Sequence, residues 1–309
     1  MAVTRHAIVS AHAAIADRIY RTPVIDVDAA SIGSSGRISF KLEYLQPPGS
    51  FKARGAAHNL VSRDIPPSGV IAASGGNHGV AVAWAARSLG VPANIFVPEI
   101  SAPAKVQRLR DFGATVHQVG AVYAEAHEAS LEMQRQLGAL DVHPYDSETT
   151  VAGAGTLGKE LDEQVGDIDT VVVATGGGGL ASGVAAWFGD QVKLVIVEGE
   201  LTPTWHEAER AGRPVPVQPS GVTADALGAT QIGEVNFPIL AAARTESVLV
   251  TDEQVIEARN HLWRSARIVL EHSAAVTIAA LRSGRYSPAD DERVAVVLCG
   301  ANTDTSSLD

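Results

Sequence analysis

Three short runs carry residue types that could do chemistry: Gly49-Ser50-Phe51-Lys52-Ala53-Arg54-Gly55, Ser74-Gly75-Gly76-Asn77-His78-Gly79 and Thr175-Gly176-Gly177-Gly178-Gly179-Leu180. A lysine amine forms a Schiff base with an aldehyde. A glycine turn that opens a helix holds a phosphate on bare backbone N–H groups, where a side chain would block the approach. The loop 74–79, at another helix start, offers a hydroxyl, an amide and free N–H groups that suit a carboxylate. Together the three runs describe a pocket for pyridoxal phosphate and a small substrate bearing a carboxylate.

Each run also has an ordinary reading. A lone lysine is usually solvated, four glycines can make a tight turn, and Ser74 or Asn77 alone can be a helix N-cap. A dinucleotide site competes for Gly176–Gly179, but no G-x-G-x-x-G with an acidic residue after the following strand accompanies them, so a nicotinamide cofactor ranks low. His78 has no second histidine at ligand spacing, and 74–79 is not a G-x-S-x-G elbow, which weighs against a metal centre and a serine hydrolase. Cys299 alone reads as a small buried hydrophobe at the end of a strand.

Short β-branched runs alternating with alanine-rich helical stretches must position these loops. The pattern predicts strands at 37–41, 69–73, 93–97, 114–118, 170–174, 193–198, 247–250 and 293–298. Helices are predicted near 51–62, 77–89, 103–112, 122–138, 151–165, 179–188, 252–266 and 273–282. This is an α/β chain with mostly parallel sheets flanked by helices. The series within 69–142 is self-contained and 141–146 reads as an exit linker. Two lobes are therefore expected: a small one of 51–145 and a large one of 1–50 with 146–309.

The chain has 309 residues, 46% hydrophobic and 19% charged, enough for a substantial core. Its formal net charge of −11 argues against nucleic acid or an anionic membrane as partner. One cysteine excludes an intrachain disulfide and fits the cytoplasm. Residues 1–20 lack the continuous apolar stretch of a signal peptide or membrane span. The C-terminus follows soon after the last strand, so no appended regulatory domain is expected.

With these runs in order, the chain resembles the fold-type II pyridoxal-phosphate enzymes, tryptophan synthase β-like in fold, of the serine/threonine dehydratase and serine racemase family. Besides the three runs, the resemblance is carried by Val151-Ala152-Gly153-Ala154-Gly155-Thr156, Val197-Glu198, Ala224-Asp225-Ala226-Leu227, Glu271-His272-Ser273-Ala274-Ala275 and Cys299-Gly300-Ala301-Asn302. It implies that Lys52 carries the Schiff base and shuttles the α-proton, Phe51 packs on the pyridine ring, and Asn77 bonds its phenolic oxygen. It implies further that Gly176, Gly177, Gly178 and Gly179 hold the phosphate, that Glu271 belongs to the cofactor pocket, and that Cys299 faces the pyridine nitrogen. Ser74, Gly75, Asn77 and His78 would bind the substrate carboxylate. A homo-oligomer is implied as well, a homodimer or a tetramer.

A thiol at the pyridine nitrogen does not enforce a protonated ring, so the electron sink is weak and a rapid β-elimination is favoured over a long-lived carbanion. The expected reaction deaminates a β-hydroxy amino acid, L-threonine or L-serine first, to a 2-oxo acid and ammonia. Hydroxyaspartate and phenylserine dehydratases, a racemase, and a non-catalytic binding protein are the alternatives. Two departures bear on this choice. Racemases of this type resemble Ser-Ser-Gly-Asn-His, whose second serine is the base on the opposite face; here that position is Gly75, which has no proton to give. Members with a divalent cation use residues that fall on Glu198, Thr202 and Thr204. A threonine in place of an aspartate weakens such a site and leaves a monovalent cation as the alternative.

Overall fold

The computed structural model describes residues 3–308. Its strands are β1 (Val24–Val27), β2 (Arg37–Lys41), β3 (Val70–Ala73), β4 (Ala93–Val97), β5 (Thr115–Gln118), β6 (Leu140–Asp141), β7 (Thr170–Ala174), β8 (Lys193–Gly199), β9 (Thr245–Val250) and β10 (Arg293–Val297). They form a six-stranded sheet, ordered β1-β2-β10-β7-β8-β9, and a four-stranded sheet, ordered β5-β4-β3-β6. Every pairing is parallel except β1 with β2. The central strands are covered on both faces, so β7 reads Thr-Val-Val-Val-Ala and is buried throughout, without polar alternation. This is the fold-type II architecture, with helices flanking both sheets.

The predicted strands and the eight long helices lie within a few residues of their expected bounds. Two strands were not anticipated. β1 is a short antiparallel edge with an exposed centre, and β6 has two residues, so neither carries a periodic signal. The helix Arg5–Ile15 was also missed, although Ile8, Ala11 and Ile15 fall on one face and the Thr4 hydroxyl accepts from the Ala7 N–H. The helices Thr204–Ala211, Ala224–Leu227 and Asn236–Ala241 are too short for a period to show. Among the described residues no helix is long and apolar enough to cross a membrane.

The Val151–Thr156 run is a packing device. A Cβ on Gly153 would lie 2.7 Å from the Arg54 carbonyl oxygen, and one on Gly155 would lie 2.9 Å from that of Gly183. Only glycine permits such approach, so the helix Glu148–Val165 draws the helices Lys52–Ser62 and Gly179–Phe188 against itself. The N-termini of those two helices carry Lys52 and the end of the tetraglycine loop.

A dry ionic cluster fixes the Lys52–Ser62 helix to the larger sheet. Arg54 donates from Nε and Nη2 to the Glu43 carboxylate at 2.6 and 2.9 Å, and from Nη1 and Nη2 to Glu160 at 2.8 Å each. Lys41 Nζ donates to Glu160 Oε2, the Thr22 carbonyl and Gln164 Oε1, all at 2.8 Å. The four charged side chains are shielded from water, and their charges cancel.

Candidate active site

The entry to the lysine helix is stitched to the end of β10. Phe51 N–H donates to the Cys299 carbonyl at 2.9 Å, Ala301 N–H donates to Gly49 at 3.0 Å, and Ser50 bridges Gly300. Residues 49–52 and 299–301, far apart in sequence, thus share one wall. Lys52 is half-buried there, with Nζ donating to the Pro144 carbonyl at 2.7 Å and lying 4.9 Å from the Phe51 ring centroid. Burial lowers its pKa to about 8, with Cys299 and Glu271 opposing the shift. About a tenth of the amine is then neutral at pH 7, far more than of an ordinary lysine. Burial pushes the Cys299 thiol well up, so it stays protonated and uncharged.

The 74–79 loop leaves β3 and opens the helix Asn77–Leu89. A Cβ on Gly79 would lie 1.9 Å from the Ser74 carbonyl oxygen, so the turn closes only on glycine. Ser74 Oγ accepts from the Gly76 N–H at 3.3 Å. Asn77 Nδ2 donates to Glu271 Oε1 at 2.7 Å, and its Oδ1 accepts from Asn302 at 2.6 Å. Burial raises Glu271 to about 7, against the opposing bonds from Ser273 and Asn77. His78 is committed elsewhere: Nε2 donates to the Val142 carbonyl at 2.6 Å, and burial lowers its pKa to about 3. With Nε2 as the N–H, Nδ1 is an acceptor, so His78 can meet a carboxylate only through its backbone N–H.

The tetraglycine loop is pinned by its carbonyls. The Gly176 carbonyl accepts from the Thr204 hydroxyl; that of Gly177 accepts from the Gly233 N–H at 3.0 Å and from Asn236 Nδ2 at 2.8 Å. A trans peptide sets C=O and N–H in opposite directions, so the amides of the following residues are turned away from those anchors. Gly178 has φ +93°, and Cβ atoms on Gly176 and Gly177 would lie 3.0 Å from Leu227 Cα and 2.3 Å from the Tyr145 ring. The buried Thr175 hydroxyl has no partner among the described residues and borders the same space.

These pieces line one cavity of about 580 Å³, a usual size for a small-molecule site. Phe51, Lys52, Ser74 to His78, Gly176 to Gly179, Glu271 and Cys299 all border it. The donor set fits pyridoxal phosphate: an amine for the aldehyde, a side-chain-free turn with an unpartnered hydroxyl for the phosphate, and a neutral thiol for the ring nitrogen. A family described as pyridoxal-phosphate dependent enzyme matches residues 15–300. The chain belongs to that family. It is 34% identical over 312 residues to an L-threonine ammonia-lyase of Thermotoga maritima, covering 99% of this chain and 77% of that protein. It is 34% identical to a phenylserine dehydratase of Ralstonia pickettii, covering 98% of this chain and 94% of the relative. The structure of maize serine racemase superposes with a TM-score of 0.92 at 30% identity, covering 99% of this chain and 96% of that one.

Glu198 stands apart from the cavity. Its Oε1 accepts from the Trp205 N–H at 2.8 Å and its Oε2 from the His206 N–H at 2.9 Å, while the Thr204 hydroxyl, whose one proton is shared with the Gly176 carbonyl, lies 2.8 Å from Oε1. The carboxylate caps the helix Thr204–Ala211, and burial raises its pKa to about 7. Segment 141–146 does more than link: Pro144 receives the Lys52 hydrogen bond, and Tyr145 packs over Gly177 and Gly179. Sequence reasoning also missed Thr175, Ile100 and Lys105 as lining residues. Thr175 adjoins the glycines, and Ile100 and Lys105 carry no local signal; Tyr123 and Asp225 line the cavity as well.

Proposed function

We propose that this chain dehydrates and deaminates a β-hydroxy α-amino acid, with L-threonine and L-serine as the first substrates to try, giving a 2-oxo acid and ammonia. The observation that carries the reading is the desolvated Lys52 amine, sharing one cavity with the 74–78 loop at a helix start, the four-glycine turn and a neutral thiol. When bound, pyridoxal phosphate supplies the electron sink for breaking the Cα–H bond.

The chain's own groups do the rest. Ser74, Gly75, Asn77 and the His78 N–H hold the substrate carboxylate, which fixes Cα within reach of Lys52 Nζ. That nitrogen, kept partly neutral by burial, takes the α-proton. The β-hydroxyl leaves with a proton as water, and the unsaturated amine takes up water and releases ammonia, so the net change is amino acid to 2-oxo acid plus ammonia. Cys299 keeps the ring nitrogen's surroundings uncharged, which favours prompt elimination. In this reading residues 51–145 form the smaller lobe and 1–50 with 146–309 the larger. A cytoplasmic homodimer completes the proposal; the single buried thiol fits a reducing compartment.

Racemisation needs a proton carrier on the face opposite Lys52. Gly75 supplies none, but Ser101 Oγ lies 3.9 Å from where a Gly75 Cβ would be, which keeps a racemase as the second reading. Loaded protein should release 2-oxo acid from L-threonine, and the Lys52→Ala variant should release none. Turnover by that variant at the parent's rate would end the proposal. Conversion of L-serine in D2O to deuterated D-serine without 2-oxo acid would select the racemase.

A further inference from the structure

The geometry points to a substrate whose β-substituent is uncharged and larger than a methyl group, an aryl ring above all. This inference rests on the elimination reading and specifies the side chain that the site selects.

Subtraction identifies the wall that meets this substituent. With Phe51, Lys52, the glycine loop, Glu271 and Cys299 given to the cofactor and 74–78 to the carboxylate, the remaining wall includes Ile100, Ala102, Tyr123, Ala226 and Ala229. The three alanines leave room beyond a methyl group. Ile100 is 82% exposed and Tyr123 54% exposed, both at the mouth of the cavity. Their loops are tied together, Glu99 N–H donating to the Gly120 carbonyl at 2.8 Å and Val119 N–H to that of Val97 at 2.9 Å, so the two side chains are presented as a unit. Large apolar groups held in water beside a polar site gain by being covered, at about 25 cal/mol per Å² of apolar surface.

Charge disfavours the alternatives. Besides Lys52 and Glu271, the charged side chains on this wall are Lys105 and Asp225, and they are paired with each other. A second substrate carboxylate would compete with Asp225 for Lys105 and lie beside a like charge. An amine on the β-substituent would meet the converse.

The test compares kcat/KM for L-threo-3-phenylserine, L-threonine and L-threo-3-hydroxyaspartate on the loaded enzyme. Phenylserine should lead threonine by about tenfold or more, and hydroxyaspartate should come last. Ile100→Asn should lower the phenylserine-to-threonine ratio about tenfold, and Asp225→Asn, which frees Lys105, should raise the hydroxyaspartate-to-phenylserine ratio about tenfold. Calorimetric binding of the three amino acids to the Lys52→Ala variant should give the same order without turnover. Threonine or hydroxyaspartate ahead of phenylserine, or ratios unmoved by both substitutions, would overturn this inference and leave the elimination reading standing. Absence of 2-oxo acid from all three would remove the elimination reading itself, and this inference with it.

Discussion

Replacing Glu160 by glutamine should destabilise the protein more than removing Glu160 and Lys41 together. The cluster of Lys41, Arg54, Glu43 and Glu160 is neutral as a whole and closed to water. Glu160→Gln removes one of its two negative charges and leaves two buried cations facing a single carboxylate. Breaking a buried ion pair from one side costs about 3–5 kcal/mol, because the orphaned charge keeps its desolvation penalty. Adding Lys41→Met restores neutrality, and Arg54 keeps its two-pronged contact with Glu43 at 2.6 and 2.9 Å. The double variant should therefore recover at least about 1 kcal/mol relative to Glu160→Gln, a coupling that additive loss of contacts cannot produce. Burial already holds Lys41 below the usual lysine range. In Glu160→Gln this residue sheds its proton most readily in the folded state, while the unfolded chain keeps it, so the penalty should shrink as pH rises. Urea unfolding of the ligand-free protein, followed by tryptophan fluorescence at two pH values, measures all three quantities. A double variant less stable than Glu160→Gln, or a Glu160→Gln penalty below about 1 kcal/mol, would refute the charge-balance reasoning.

Two further outcomes follow from the site. Lys52 must be neutral to capture an aldehyde, so the rate of pyridoxal phosphate uptake by ligand-free protein should rise with pH and level near the residue's pKa of about 8. A rate still climbing well beyond that pH, in stopped-flow absorbance, would contradict the burial argument. Gly178→Ala forces a side chain into φ +93° and brings its Cβ to 2.7 Å from Ile232 Cδ1 and 3.0 Å from Asn236 Cβ. The strain, about 1–3 kcal/mol, should weaken cofactor binding about tenfold or more, as equilibrium dialysis would show.

The three chemical runs, the order of the long elements and the family resemblance were legible in the sequence because each is local. A buried parallel strand is a run of β-branched residues, a helix start shows its cap, and a phosphate turn shows its glycines. The cofactor followed from the same runs. What the chain could not reveal from local pattern is set by long-range contact. His78 sits beside Asn77 in the sequence, yet its ring turns to the Val142 carbonyl and leaves only a backbone donor for substrate. Glu198 reads as one member of a weakened cation site, and only the fold shows its carboxylate oxygens meeting the backbone N–H groups of Trp205 and His206 at the start of the Thr204–Ala211 helix.

The sequence by itself determined that Lys52 stands at a helix start and that a four-glycine turn follows β7. Only the tertiary structure decided what surrounds them. Desolvation turns an ordinary ammonium into an amine with a pKa of about 8, against the opposing effect of Cys299 and Glu271. Packing against Gly153 and Gly155 brings the lysine and glycine helices together. The pairing of Lys105 with Asp225, residues more than a hundred positions apart, sets two opposite charges side by side on the cavity wall. The physical reason is the same in each case: desolvation and charge compensation depend on neighbours in space, which a linear pattern does not record.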